Sequence, residues 1–280
     1  MDLQLLILLC FWGILVGTTY ASVGAAGGIL ASFGLISIAG ITDPNSIKPA
    51  AQIIVLSTGF VFIPKYFKSS ALVWPLGVLL GLGGLFGAWV GSTISTYYLS
   101  DMAAFKPWFG VLTYCVAILI LVQIYRSRHQ ENQNSLPVSG VTDLTFHGLD
   151  FSFSYAGQTY HILAIIPVLA GFIIAALASI FGVGGGFLLV PFMVSILRLP
   201  MHIIPATTAI AIIISLVVSI GNYLRLGANI QYDVVLAILV GSLIGAFLGV
   251  SLNRRLKNTS LQAILALVVM MIGTKYLFFA

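Results

Sequence analysis

The chain has 280 residues, of which 60% are hydrophobic and only 7% charged, with a mean hydropathy of +1.11. A soluble domain carries about a quarter charged residues, so this composition excludes a soluble globule, a secreted disulfide scaffold, a nucleic-acid-binding domain and a disordered tail. The net charge of +5 reports which loops face the cytoplasm rather than an acidic partner, and Cys10 and Cys115 sit in apolar runs as small hydrophobes.

A bilayer core needs about 20 apolar residues per helix. Such segments are predicted at Leu3 to Ser22, Pro49 to Tyr66, Leu72 to Tyr98, Pro107 to Tyr125, Ile162 to Phe181, Pro205 to Tyr223, Ile230 to Leu252 and Leu261 to Phe279. Two shorter apolar stretches remain, Ile29–Ile38 and Phe187–Leu197. Each follows a glycine cluster, Gly24, Gly27 and Gly28 in one case and Gly182, Gly184, Gly185 and Gly186 in the other. Clustered glycines interrupt an apolar helix, so each remnant is predicted to be a half-helix. The first segment reads as a membrane helix, not a signal peptide, because Asp2 is its only flanking charge and the region has a copy inside the chain.

That copy extends over two halves. Gly24, Gly27 and Gly28 map onto Gly182, Gly185 and Gly186, and Gly83, Gly87 and Gly91 map onto Gly241, Gly245 and Gly249. Pro49-Ala50 matches Pro205-Ala206, and Tyr66 matches Tyr223. The expected organisation is an N-terminal transmembrane repeat over 1–125, a polar linker over 126–160 and a C-terminal repeat over 161–280. Phe151-Ser-Phe153-Ser-Tyr155 in the linker alternates, and His147 to Asp150 is turn-like, so a short β-hairpin is expected there. His129, His147 and His161 lack metal-ligand spacing. The four-residue glycine ladders allow close helix approach, as internal packing or equally as a homodimer seam.

Two topologies compete. If each broken segment crosses once, the Lys and Arg residues divide six against six. If each goes in and returns as a hairpin, Lys65, Lys68, Arg126, Arg128, Arg198, Arg254, Arg255 and Lys257 share one side, against Lys48, Lys106, Arg225 and Lys275. The second division follows the positive-inside rule. The expected fold class is therefore an all-α polytopic membrane protein of two homologous, inverted repeats. Each repeat has a glycine-broken helical hairpin plus three transmembrane helices, with both termini outside and the linker cytoplasmic.

No Asp or Glu falls in the middle of a span, and no paired carboxylates, zinc-binding His pair or nucleophile–base pair is visible. Neither an enzyme, a cofactor nor a metal is expected. Two helix breaks at matching places in two halves point instead to a transport site. A half-helix that starts at depth presents unpaired backbone N–H groups and the positive end of its dipole, which favours an anion. The candidate ligand-binding residues are Gly24, Gly27, Gly28, Gln52, Gly184, Gly185, Gly186, Thr207 and Thr208. Gln52 and the two threonines follow Pro49 and Pro205 in matching helices; the alternative for them is to satisfy backbone groups or bond across helices. No buried lysine is called for.

The glycine cluster and half-helix followed by Lys48-Pro-Ala-Ala-Gln52, the Gly83/Gly87/Gly91 helix, and the second copy with Gly182 to Phe187, Pro191 and Pro205-Ala-Thr-Thr208 resemble the TauE/SafE sulfite exporter family of bacterial permeases. The likeness covers Gly24–Tyr125 and His161–Phe279, with Ala25 and Ala26 in the first copy where the second has Val183 and Gly184. The resemblance implies a multi-pass transporter of the cell inner membrane for sulfite, an organosulfonate or a related sulfur-containing or carboxylate anion; the paired breaks add the expectation that one repeat rocks against the other. A carboxylate, or a membrane subunit whose linker recruits a partner, is the alternative.

Overall fold

The structure is a computed structural model that describes residues 2–23, 26–67, 72–127, 141–148, 150–155, 157–200, 203–253 and 258–278. Its helices are α1 (Leu3–Val23), α2 (Gly27–Ser37), α3 (Pro44–Phe67), α4 (Trp74–Tyr98), α5 (Met102–Ser127), α6 (Ile165–Phe181), α7 (Gly186–Ser195), α8 (Ile204–Arg225), α9 (Tyr232–Asn253) and α10 (Asn258–Phe278). Strands β1 (Thr142–His147), β2 (Asp150–Tyr155) and β3 (Gln158–Leu163) lie between α5 and α6. Among the described residues, five helices are long and apolar enough to cross a membrane, at Leu3–Ser22, Trp74–Tyr98, Met102–Val122, Ile204–Arg225 and Tyr232–Gly249. Large apolar side chains such as Phe11, Phe86, Leu236 and Ile264 are exposed on the outer surface, as lipid contact requires and water would not permit. The chain is a polytopic helical membrane protein.

Small residues decide which helices pair. A Cβ at Gly83, Gly87 or Gly91 of α4 would overlap the carbonyl oxygens of Val168, Phe172 and Ala176 on α6. One at Gly241 or Gly245 of α9 would overlap those of Cys10 and Ile14 on α1, and Gly249 lies as closely against Thr18. Each ladder is therefore a packing surface. Each half lends its first helix to the other half's ladder: α1 lies on α9, and α6 on α4.

Contact order along each pair gives direction. Residue numbers rise together in α1 and α9 and in α4 and α6, so both pairs are parallel. Helix α4 also runs parallel to α8, since Gly84 meets Ser215 and Asn222 donates to the Trp89 carbonyl and to Ser92 and Thr93. Helices α5 and α10 are antiparallel: the Phe109 and Tyr276 rings lie 5.6 Å apart, and Tyr114 bonds Thr274 further along α5. Helix α2 turns back along α1, with Gly27 against the Tyr20 ring and Trp12 Nε1 donating to the Leu30 carbonyl.

The linker forms a three-stranded antiparallel sheet in the order β1-β2-β3. The turn is where alternation ends, with His147 paired to Asp150. A third strand, in which Tyr160 pairs with Phe153 and Ile162 with Phe151, takes up the residues expected to begin the following span, and α6 starts at Ile165 instead. Phe151, Phe153, Tyr155 and Ile162 are buried in one apolar cluster with Val73, Met193, Leu199 and Ile203. The sheet thus sits on the helices, its aromatic face covered.

Candidate functional site

Both breaks are built by left-handed backbone. In the second, Gly182 and Gly184 have φ of 72° and 73°, and α7 begins at Gly186. In the first, Ala26 takes φ 60° at the position matching Gly184. Alanine tolerates that region at a cost of about 1–2 kcal/mol, so a left-handed turn precedes α2 and α7 alike although the first is made without glycine. Gly24 lies outside the described residues. Neither α2 nor α7 has a side-chain cap, which leaves first-turn N–H groups available at both N-termini.

The breaks meet. A Cβ on Gly28 would overlap the backbone of Val183, and one on Gly182 would lie 2.5 Å from the Lys48 Cα. Gly184 faces Val55 of α3 and Leu216 of α8. Lys48, Gln52 and Val55 share one stripe of α3 at helical spacing, so Gln52 sits against the second break, between two residues that touch it. Gln52 is fully buried, and neither its amide nitrogen nor its oxygen finds a partner among the described residues. Ser219 lies on α8 one turn beyond Leu216, and Ser32 on α2; both are likewise buried with unpartnered hydroxyls. Unpaired buried polar atoms of this kind are rare and call for a ligand or water.

The two threonines are engaged otherwise. Thr207 Oγ1 donates to the Ile203 carbonyl at 2.8 Å and accepts from the Val73 N–H at 3.2 Å. Thr208 Oγ1 donates to the Ile204 carbonyl at 2.8 Å, two turns before Leu216. Gly185 and Gly186 open α7, the former in ordinary helical backbone with φ −75°.

Lys48, expected just ahead of a span beginning at Pro49, lies inside the protein. Asp43 caps α3, accepting from the Asn45 N–H at 3.0 Å and from Ser46 Oγ at 2.5 Å, and Pro44 follows at the first helical position. The helix therefore starts five residues before Pro49 and carries Lys48 inside, with 0% exposure. Its Nζ donates to the carbonyls of Leu99 at 2.7 Å and Ser95 at 3.3 Å and to Asn45 Oδ1 at 3.3 Å, between the rings of Phe105 and Tyr223. The Asp-Pro pair was the available signal for this longer helix.

The surrounding bonds set the sign of the local field. Tyr223 OH donates to the Ser179 carbonyl at 2.7 Å and Ser95 Oγ to that of Ile180 at 2.6 Å. These are last-turn carbonyls of α6, just before the break. With Lys48 on the end of α4, the negative helix termini nearby are neutralised by donors, while the positive termini of α2 and α7 stay uncapped. The net polarity favours a negative ligand. Among the described residues no group of three or more His, Cys, Asp or Glu side chains could hold a metal.

Comparison with known proteins agrees with a transport architecture. A protein of Bacillus subtilis (strain 168) named "Probable membrane transporter protein YunE" is 21% identical over 278 residues, covering 97% of each chain. "Probable membrane transporter protein" sequences of Xylella fastidiosa are 25% identical, over 255 residues in strain 9a5c (91% of this chain, 87% of the relative) and 276 in strain Temecula1 / ATCC 700964 (98% and 95%). No solved structure matches. The family described as Sulfite exporter TauE/SafE matches residues 9–276, nearly the whole chain including both breaks, and the chain belongs to this family of membrane transporters.

Proposed function

We propose that the protein moves a small anion, sulfite or an organosulfonate, across the cell inner membrane. The anion binds near the bilayer midplane between the N-termini of α2 and α7, held by backbone N–H groups around Gly27 and Gly28 and around Gly184, Gly185 and Gly186, with Gln52 beside them. Thr207 and Thr208 shape the wall, their hydroxyls bound to their own helix. The observation that carries this reading is the contact of two uncapped half-helix ends at a buried, unpartnered amide. The family's description supplies the sulfur chemistry.

Inverted repeats account for the helix directions, while outside termini and a cytoplasmic linker are proposed from the distribution of Lys and Arg. If each α1–α2 and α6–α7 unit were one crossing, α4 and α8 would be antiparallel and α5 and α10 parallel, the reverse of what the contacts give. Alternating access then works between α1 with α9 and α4 with α6 and α8, because glycine contacts lock those sets. The moving bodies thus mix both sequence halves, and the breaks lie on the seam between them.

Thermal shift of the purified protein with sulfite, sulfate, short sulfonates, acetate and chloride at constant ionic strength tests the ligand. A bound anion raises the melting temperature according to its concentration over Kd. Selective stabilisation by sulfite or a sulfonate is expected, and a flat response to all would overturn the reading. Reporter fusions in the linker and at the C-terminus should land on opposite sides of the membrane.

A further inference from the structure

The anion site just proposed contains an acceptor that an anion without a proton donor cannot satisfy. Gln52 is an amide, with two N–H protons to donate and a carbonyl oxygen that only accepts. Both ends are buried and unpartnered among the described residues, so exchanging the amide's oxygen and nitrogen leaves the argument unchanged. A sulfonate or carboxylate oxygen takes the N–H side. The Oε1 side then needs a donor, and a bare anion brings only lone pairs.

Among the described residues, the nearby donors are engaged elsewhere or belong to the anion, which takes the N–H groups at the starts of α2 and α7. Lys48, one turn away on the same stripe, commits its three protons to Leu99, Ser95 and Asn45. The Thr207 and Thr208 hydroxyls donate to Ile203 and Ile204, and Tyr223 donates to Ser179. Ser32 and Ser219 retain free hydroxyls. They sit on other helices and can rotate to donate to the anion, a role that suits their single proton.

We infer that Gln52 selects a monoanion carrying its own O–H or N–H donor, as in a hydroxysulfonate or hydroxycarboxylate, over the plain anion of the same size. The amide reads both ends of such a ligand: its nitrogen donates to the charged group and its oxygen accepts from the hydroxyl or amine. A ligand lacking the donor leaves Oε1 buried and unpaired, which weakens binding by roughly tenfold to a hundredfold. This inference rests on the anion-site reading and adds the chemical class of the ligand to it.

Matched pairs test it on the purified full-length protein. The probes are 2-hydroxyethanesulfonate against ethanesulfonate and glycolate against acetate, at constant pH and ionic strength, with Kd taken from thermal shift. In at least one pair the hydroxylated member is expected to bind at least about tenfold tighter. In Gln52→Leu and Gln52→Met the ratio falls to within about twofold, while both variants without ligand melt no lower than wild type because an unpaired buried amide has been removed. Binding of neither member of either pair by wild type overturns the anion site itself. Equal binding within both pairs leaves that site standing and overturns the selection. A preference that survives in both Gln52 variants overturns the role of Gln52.

Discussion

Replacing Gly28 by alanine adds one methyl group, and the structure assigns that methyl to space held by the backbone of Val183. Its carbon would overlap the Val183 carbonyl oxygen, carbonyl carbon and Cα at once. Comfortable contact between such atoms needs about 3.5–4 Å, so one break must retreat from the other by more than about 1 Å. Both sides are backbone, and no rotamer change can absorb the displacement. Overpacking of this kind costs about 1–3 kcal/mol. The control is Gly185→Ala, where the nearest atom to a new Cβ is 3.6 Å away and the backbone is helical. There alanine is expected to stabilise by about 0.4–1 kcal/mol, through the unfolded chain. The assay is the ligand-free melting temperature of each purified variant, followed by anion binding. Gly28→Ala should melt lower and lose binding, and Gly185→Ala should melt at or above wild type. Equal melting of the two variants would refute the claim that the breaks are pressed together.

Other predictions follow from the same contacts. Gly184→Ala places a side chain at φ 73° and should cost about 1–2 kcal/mol, whereas Ala26→Gly at the matching position should leave stability unchanged or up to about 1 kcal/mol higher; melting of the two variants checks the asymmetry. Lys48→Ala strips donors from the end of α4 and empties the space between two rings, at about 2–4 kcal/mol. Lys48→Met, which keeps the stem, should recover part of that loss in the same melt. Phe153→Ala in the covered face of the sheet should cost about 3–5 kcal/mol, while Leu144→Ala, at 38% exposure on β1, should stay within about 0.5 kcal/mol of wild type.

Helix positions and both breaks could be read from the chain because apolar length and glycine clusters are local signals. The glycine ladders could also be read as packing surfaces, since four-residue spacing has a mechanical meaning on one helix. Their partners could not: the two halves carry the same pattern, and nothing in a pattern says that α1 belongs on the ladder of the other half. Lys48 was misplaced because Pro49 looked like a helix start, when the cap Asp43 and Pro44 stand further upstream. The third strand was hidden because Tyr160 to Leu163 runs straight into the apolar α6, and composition does not separate a strand from the helix that follows it. Gln52 was visible as a polar residue in a span, but the want of partners around it is a property of three packed helices. For Thr207 two roles were open, and its hydroxyl bonds to backbone at Ile203 and Val73.

The pairing of α1 with α9 also bears on how the protein is made. Cys10 Sγ donates to the Ala237 carbonyl and Thr18 Oγ1 to that of Gly245, each across 227 residues of chain. At ribosomal speeds of about 5–20 residues per second, α1 waits roughly 10–50 s for the α9 surface that covers one of its faces. During that interval its small-residue face must rest against lipid, the insertion machinery or a temporary neighbour. Contacts of α1 are thus among the late ones made in biogenesis, formed only once α9 arrives. A chain truncated before Tyr232 would keep α1 on α2 but leave the face that meets Gly241, Gly245 and Gly249 uncovered.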